Sequence, residues 1–445
     1  MRLRLLFACI WACLSSDAFA QTSTFVFPVD TLIKTGPLNK RINVCLVPDG
    51  YRANEMAKFQ TDAQSFINAL LNISPFMQYR AYFNFFLIRI PSNQSGATHP
   101  GTASDETTAG GGQPIETKDT YFGSRFDSYG IHRLVTTTQF TRFTNVMATN
   151  LPSYDLAVML VNSPFYGGSG GVPSIATSAT SSNEIAIHEI GHTFVSLADE
   201  YWAGLQYANE RPNMTQTINP TSVRWRNWLN TPGIGVFPHN SPGQSWYKPA
   251  TGTCKMEYLG RAFCSVCREG FVNRMLDLVK PVDSAFPASG TVSLSQPTTF
   301  SLTVVRPNPN TLTIRWLMND QLLATQTEQL TVNPATLLPG QTYQLTAQVL
   351  DSTQFVRSDN HPAVHRQTLS WTIQRTGCSL VQTLRAGDWN DPTLWSCGSL
   401  PTATDEVIVG HALTISVADA SARKVVFQNG GIIRYLNQRR LLLRN

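Results

Sequence analysis

Apolar and polar positions follow two different rhythms along this chain. Between residues 42 and 280, short apolar runs take turns with stretches of helical spacing. Ile42 to Val47, Tyr82 to Ile90 and Leu156 to Val161 are too short for helices, and the last is apolar throughout, which predicts strands buried in the middle of a sheet. Glu55 to Leu71 sets Met56, Phe59, Phe66, Ile67 and Leu70 on one helical face. Residues 131–148 and Gly270 to Lys280, the latter stopped by Pro281, predict further helices. Strands alternating with helices predict an α/β or α+β core. Residues 91–120, rich in Gly, Ser and Thr and including Gly110-Gly111-Gly112, read as a long surface loop along a cleft. Residues 202–250 carry many Asn, Pro, Trp and Gly and read as an irregular, substrate-facing wall. Val172 to Thr177 reads as an edge strand.

From residue 285 to 375 the rhythm becomes strict alternation, in Phe300 to Val304, Leu312 to Trp316, Leu330 to Val332 and Tyr343 to Val349. Turn signals such as Asn308-Pro309-Asn310 and Pro339-Gly340 separate them, which predicts an all-β sandwich of Ig or fibronectin type. His361 and His365 fall here and read as surface residues. After residue 377, Gly387-Asp388-Trp389, Trp395 and Pro401 precede three short apolar strands. This predicts a small C-terminal β module, a few rungs of a β-helix, which resembles the Gly-x-Trp…Trp-Ser…Pro modules at the ends of exported bacterial surface proteins. The predicted division is a leader at 1–20, a first domain at 21–284, a sandwich at 285–376 and the β module at 377–445.

Composition changes the picture at two points. Met1 to Ala20 joins a basic start (Arg2, Arg4), an apolar run (Leu5 to Leu14) and the small-x-small end Ala18-Phe19-Ala20, which predicts a secretory leader. No later stretch reaches the roughly 18 apolar residues of a membrane span. The expected location is therefore secreted, periplasmic or cell-surface. A net charge of +5, scattered along the chain, argues against nucleic acid as a partner. Of the 8 cysteines, all but Cys9 and Cys13 lie outside the leader, and an even count in an exported chain favours disulfides. Cys378 with Cys397 would close a loop of about 20 residues. Cys264-Ser265-Val266-Cys267 also has the spacing of a redox pair or half a zinc ribbon, but no second CxxC accompanies it. Pairing among Cys45, Cys254, Cys264 and Cys267 cannot be read from spacing.

The chemistry concentrates in Asn183 to Tyr201. Ile185, Ile187, Ile190, Phe194 and Leu197 are spaced like the buried side of a helix, with Ser182 or Asn183 as cap and Glu184 at the positive end. Inside it stands His188-Glu189-Ile190-Gly191-His192. One turn apart on a helix, His188 and His192 face the same way and can hold one Zn²⁺, with Glu189 beside it as general base and then acid. An amphipathic helix can also carry this pattern by chance. Zinc needs a third protein ligand. Asp199, Glu200 and His239 are the candidates. On a straight helix Asp199 would lie about 10 Å beyond His192, so its use requires the helix to stop near Val195–Ser196 and the chain to fold back. Downstream, Met256 with Tyr258 two residues on resembles the Met-turn of metzincins. That reading puts Met256 beneath the metal and Tyr258 where it can stabilise an oxyanion, while the plainer reading makes Met256 a core filler. Asp49 and Asp155 are candidates to orient a ligating His, or else ordinary turn and strand-end residues. The Gly167–Gly171 run lacks the Gly-Lys-Ser/Thr of a phosphate loop and reads as a place of close backbone approach. Tyr201 and Trp202 read as packing residues.

Taken in order, these stretches resemble the IgA-peptidase family of bacterial zinc metallopeptidases. The shared marks are Asp49-Gly50-Tyr51, Pro75-Phe76, Pro91 to Gly96, Asp119 to Gly123, Tyr154-Asp155-Leu156 with Asn162, the Gly167–Gly171 loop, His188-Glu189-x-Gly191-His192, Leu197 to Tyr201 and Cys254-x-Met256. The resemblance covers residues 40–280. It implies a metzincin-like zinc peptidase domain whose third ligand falls one residue later than in metzincins, at Asp199. Ser196 stands where the family commonly has Gly. The implied activity is endopeptidase cleavage of a protein or peptide substrate, with surface or glycan contact left to the C-terminal β modules. Two other readings compete: an adhesion protein whose peptidase-like domain is inert, and a zinc hydrolase acting on a non-peptide amide.

Overall fold

The computed structural model describes residues 25–106, 112–239, 245–338, 341–375 and 381–444. The predicted leader Met1 to Ala20 lies outside them, as do Gly110, Gly111 and Cys378. Among the described residues no helix is long and apolar enough to cross a membrane.

The first part is built on a mixed sheet. Its strands, with a two-strand hairpin between them in the chain, are β1 (Val29–Ile33), β2 (Ile42–Asp49), β3 (Phe83–Ile88), β4 (Ser124–Arg125), β5 (Thr136–Thr137), β6 (Leu156–Val161), β7 (Gly168–Ser169) and β8 (Ser174–Thr177). The six-stranded sheet runs β1-β3-β2-β6-β8-β7, and β4 pairs with β5 apart from it. Strands β3, β2, β6 and β8 are parallel, while β1 and β7 close the two ends antiparallel. Every residue of β2 and β6 is buried because both faces are covered. Val44, Leu46, Val158 and Leu160 face one apolar cluster, shared with helices α1 (Met56–Leu71), α3 (Ser182–Val195) and α4 (Ser265–Leu278). Cys45, Val47, Ala157 and Met159 face a second cluster, shared with helix α2 (Phe140–Asn150). The uninterrupted apolar runs of the sequence thus mark a sheet between two helical layers.

Three elements depart from the expected ones. The helix expected over 131–148 begins only at Phe140, because Thr136-Thr137, β-branched and strand-prone, pairs with Ser124–Arg125. The strand before α3 is not at the edge: β8 has β6 on one side and the short β7 on the other. His361 and His365 are not on the surface. They are 7% and 6% exposed, on the short helix α5 (His361–His365), where His361 Nε2 meets the Asp351 carbonyl at 2.7 Å and His365 Nε2 meets Asp277 of α4 at 3.3 Å.

Residues 282–375 form two sheets around one apolar cluster. A three-stranded sheet (Val282–Phe286, Thr298–Val304, Gln329–Val332) faces a five-stranded one (Gly290–Leu294, Gln367–Arg375, Thr342–Asp351, Leu312–Met318, Gln321–Thr325). Phe300, Trp316 and Trp371 fill the space between, with the two indoles stacked 5.7 Å apart. From Val381 on, the paired strands among the described residues run parallel: Val381–Gln382 with Glu406–Val409 and Lys424–Phe427, Gly387–Asp388 with Ala412–Ile415 and Ile432–Tyr435, and Ala420–Ala422 with Leu441–Leu443. Trp389, Trp395, Val407 and Leu413 form their core.

The two-sheet unit is bolted to the first part by buried polar contacts. The Tyr79 hydroxyl donates to Asp351 at 2.7 Å, both residues being buried, and Arg41 makes a two-pronged contact with Asp283 at 2.7 Å. Replacing Tyr79 by Phe strips a buried carboxylate oxygen of its donor, which costs about 1–3 kcal/mol. Tyr79→Phe is expected to lower the melting temperature of the full chain by several degrees, at roughly 2–4 °C per kcal/mol. An unchanged melting curve would show that this contact does not hold the two parts together.

Candidate metal centre

Helix α3 presents His188 and His192 on one side, one turn apart, as the spacing requires. The helix stops at Val195. Ser196 takes a left-handed conformation (φ 58°, ψ 35°), its N–H and that of Leu197 returning to the carbonyls of His192 and Gly191 at 3.1 and 2.9 Å. This is the αL type of helix end, with Ser where Gly is usual. The chain reverses there, and Asp199 comes back beside the imidazoles. Asp199 Oδ1 lies 3.0 Å from His188 Nε2 and 3.2 Å from His192 Nε2, and the two Nε2 atoms lie 3.2 Å apart.

The other face of each ring fixes its tautomer. His188 Nδ1 meets the Lys255 carbonyl at 3.0 Å and His192 Nδ1 meets the Leu197 carbonyl at 2.8 Å. A carbonyl only accepts, so each Nδ1 carries the proton and each neutral ring turns a bare Nε2 lone pair inward. Two such lone pairs and a carboxylate oxygen converge with too few protons to share. A cation resolves this. Tetrahedral zinc with bonds of about 2.0–2.1 Å places its ligand atoms about 3.3 Å apart, close to the triangle formed here. Left to themselves, the groups compensate by charge. Burial disfavours a charged His192, but Asp199 beside it outweighs that and the imidazole is pushed up to about 9. Burial likewise works against the Asp199 carboxylate, which the hydrogen bonds from His188 and His192 hold well below the usual range.

Glu189 is on the same helix but turned into the cleft, its carboxylate 4.0 Å from His192 Nε2 and outside the triangle of ligand atoms. Burial raises its pKa, with the neighbouring imidazoles opposing. The cleft before it encloses about 390 Å³ and is walled by Leu134, Ser169, Tyr201, Trp202 and Met214. Tyr201, read as packing from the sequence, lies nearly parallel to His188 at 6.5 Å and has the Arg133 guanidinium over its ring, 6.0 Å from the centroid. Its position two residues past Asp199 was the available signal.

The supports of the triangle come from glycine contacts and from one downstream turn. A Cβ on Gly191 would lie 2.7 Å from Met256 Sδ, and one on Gly170 would lie 2.6 Å from His192 Cβ. Met256 is fully buried directly beneath the helix, and the Gly167–Gly171 loop brings bare backbone against His192. Tyr258 follows on the same turn and lines an adjoining pocket with His188 and Glu189, but it is 55% exposed and stands at the rim.

The other ligand candidates have different places. Glu200 points away from the imidazoles into the protein, and Asn213 donates to it at 3.1 Å. His239 meets the Asp199 carbonyl at 2.6 Å through Nε2, so it braces the returning chain from behind. Asp49 does not touch either imidazole. Fully buried, it accepts from the Phe122 and Ser124 N–H groups and the Thr120 hydroxyl, each at 2.8 Å, and so anchors the segment Thr120 to Ser124. Asp155 accepts from the Asn43 N–H at 2.8 Å and ties β6 to β2.

Sequence reasoning missed two clusters. His99, Glu106, Asp127 and His132 converge from separate loops, with His99–Glu106 and His132–Asp127 contacts of 3.0 Å each, and no spacing announces them. Cys254, Cys264 and Cys267 gather around Glu200. These three and Cys45 are free thiols, which corrects the expectation that they pair in disulfides. Cys397 is not free, and Cys378, the partner the sequence suggests for it, lies outside the described residues.

Residues 31–239 match the profile of the family described as IgA Peptidase M64. The match takes in His188, Glu189, His192 and Asp199 and ends before Met256. No curated protein matches the chain.

Two substitutions test the support of the triangle. A non-Gly residue in the left-handed region costs about 1–2 kcal/mol, partly offset in Gly by the entropy of the unfolded chain. Ser196→Gly is therefore expected to raise stability by about 0.5–1 kcal/mol in denaturant unfolding, and a loss of stability would contradict the assigned turn. Gly191→Ala forces a methyl group into Met256 and is expected to cost about 1–3 kcal/mol and to weaken metal retention during dialysis.

Proposed function

Since residues 31–239 belong to the IgA peptidase M64 family and the chain is accordingly a peptidase, we propose that it is an exported zinc endopeptidase. One observation supports the metal most strongly: two Nε2 lone pairs and a carboxylate oxygen face one another within 3.2 Å, each imidazole having its only proton committed to a carbonyl. His188, His192 and Asp199 would hold the ion. Zinc so held lowers the pKa of a bound water to about 7 and polarises a carbonyl oxygen. Glu189, on the cleft side of the triangle, takes the proton of the attacking water and delivers it to the leaving amine. Tyr258, at the rim, is assigned to the oxyanion. Tyr201 with Arg133 holds the facing wall.

Strand addition to β8 is blocked by β7, and the outer side of Gly168 is itself taken by Arg133 and Val135 through backbone hydrogen bonds of 3.0 and 3.3 Å. A peptide therefore enters along the cleft between Tyr201 and the Leu134 segment. The leader supports export, the two-sheet unit is read as an Ig or fibronectin-like domain, and the parallel C-terminal strands as a β-helix-like module suited to surface or glycan contact.

Chelator is expected to abolish cleavage of casein or an unstructured peptide, with recovery on adding zinc. Glu189→Gln should keep the metal and lose about 10²–10⁴-fold in kcat, and retained turnover would remove Glu189 from its role. Tyr258→Phe should lower kcat by about 10²-fold with KM little changed, and an unaltered kcat would exclude Tyr258 from the chemistry.

A further inference from the structure

We propose that Cys254, Cys264, Cys267 and Glu200 form a second metal site, sulfur-rich and structural, that takes a zinc-class divalent cation beneath the floor of the cleft. The four side chains come from three segments: the turn after Asp199, the turn that carries Met256, and the start of α4. One ligand atom from each lies within 4.8 Å of all the others. Cys254 and Cys267 sulfurs are 3.7 Å apart, and Glu200 Oε1 is 3.2 Å from the Cys267 sulfur and 3.9 Å from that of Cys264. A disulfide needs about 2.05 Å. A tetrahedral ion with zinc–sulfur bonds of about 2.3 Å holds its sulfurs about 3.8 Å apart. The observed spacing is that of ligands around an ion, not of a bonded pair.

Burial and polarity point the same way. Glu200, Cys254 and Cys267 are completely buried. Glu200 Oε2 is buried with no hydrogen-bond partner, an orphaned acceptor that a bound cation would satisfy. Cys264 stands at the N-cap position of α4 and Cys267 in its first turn, so one helix start presents both sulfurs. The Cys264 N–H reaches the Cys254 sulfur at 3.4 Å, the backbone contact expected of a coordinating thiolate. Cys-x-x-Cys, a third Cys and one carboxylate fill four positions and leave none for substrate, as in a closed structural site.

Such a site would act on the cleft through the backbone. Glu200 follows Asp199 directly, and its N–H donates to the Met256 carbonyl at 2.7 Å. Cys254 precedes Lys255, whose carbonyl holds His188 in its tautomer. An ion clamping Glu200 to Cys254 fixes the returning chain and the turn beneath the helix as one piece. Loading it releases the thiol protons and is coupled to folding.

The test is the absorption spectrum of the full chain expressed with cobalt in place of zinc. The triangle at His188, His192 and Asp199 contains no sulfur, so thiolate-to-cobalt charge transfer reports on the cysteine site alone. The expected result is an intense near-ultraviolet thiolate–cobalt band that persists in His188→Ala/His192→Ala and is lost in Cys264→Ser, with one metal equivalent fewer than wild type in each case. Cys45→Ser should change nothing. A wild-type protein without that band, or peptide mapping of the unreduced protein that finds a disulfide among Cys254, Cys264 and Cys267, overturns the proposal whatever the peptidase activity.

Discussion

Asp199 reaches the two imidazoles only because α3 ends at Val195 and Ser196 turns the chain back with a positive φ. Without that reversal the carboxylate would ride about 10 Å up the helix axis, and the motif would supply two ligands and no third. The turn is held from several sides. His239 grips the Asp199 carbonyl, Asn213 bonds both the N–H and the carbonyl of Ala198 at 2.7 and 2.8 Å, and Glu200 is drawn down toward Met256. These contacts offset the left-handed conformation of a residue that has a side chain.

The same few residues serve several purposes at once. Lys255 orients His188 through its carbonyl while its ammonium pairs with Glu184 near the start of α3. Met256 fills the notch left by Gly191 and receives the Glu200 N–H. One turn therefore sets the rings, the floor and the returning chain together. Helix α4 extends this platform outward: Glu269 accepts from Trp228 at 2.6 Å and from the backbone of Arg357 and Ser358 at 2.6 and 2.8 Å, joining the irregular wall and the two-sheet unit to the helix that starts at the cysteines.

Much of this was legible in the sequence. Buried strands declared themselves as apolar runs, because a sheet covered on both faces has no polar alternation. His188, Glu189 and His192 were visible because one helical turn fixes their relation. Asp199 was one of three candidates with Glu200 and His239, and only the family resemblance singled it out, since no local rule places a Ser in a left-handed turn. What stayed hidden depends on contacts between distant segments. Glu200 and the three cysteines meet across 67 positions, and pairing arithmetic led instead toward disulfides. His361 and His365 looked exposed because a short helix between strands shows no periodicity, yet they are buried against the carbonyl of Asp351 and against Asp277. Tyr201 looked like packing because its role lies in where the reversed chain delivers it.

The central claim, a cation held by two imidazoles and a carboxylate returned by the Ser196 turn, is tested most directly by diffraction from crystals of the zinc-grown protein on either side of the zinc absorption edge. The account predicts an anomalous peak about 2.0–2.1 Å from each of His188 Nε2, His192 Nε2 and Asp199 Oδ1. No peak between the imidazoles, or one completed by Glu200 or His239 with Asp199 turned away, would contradict it.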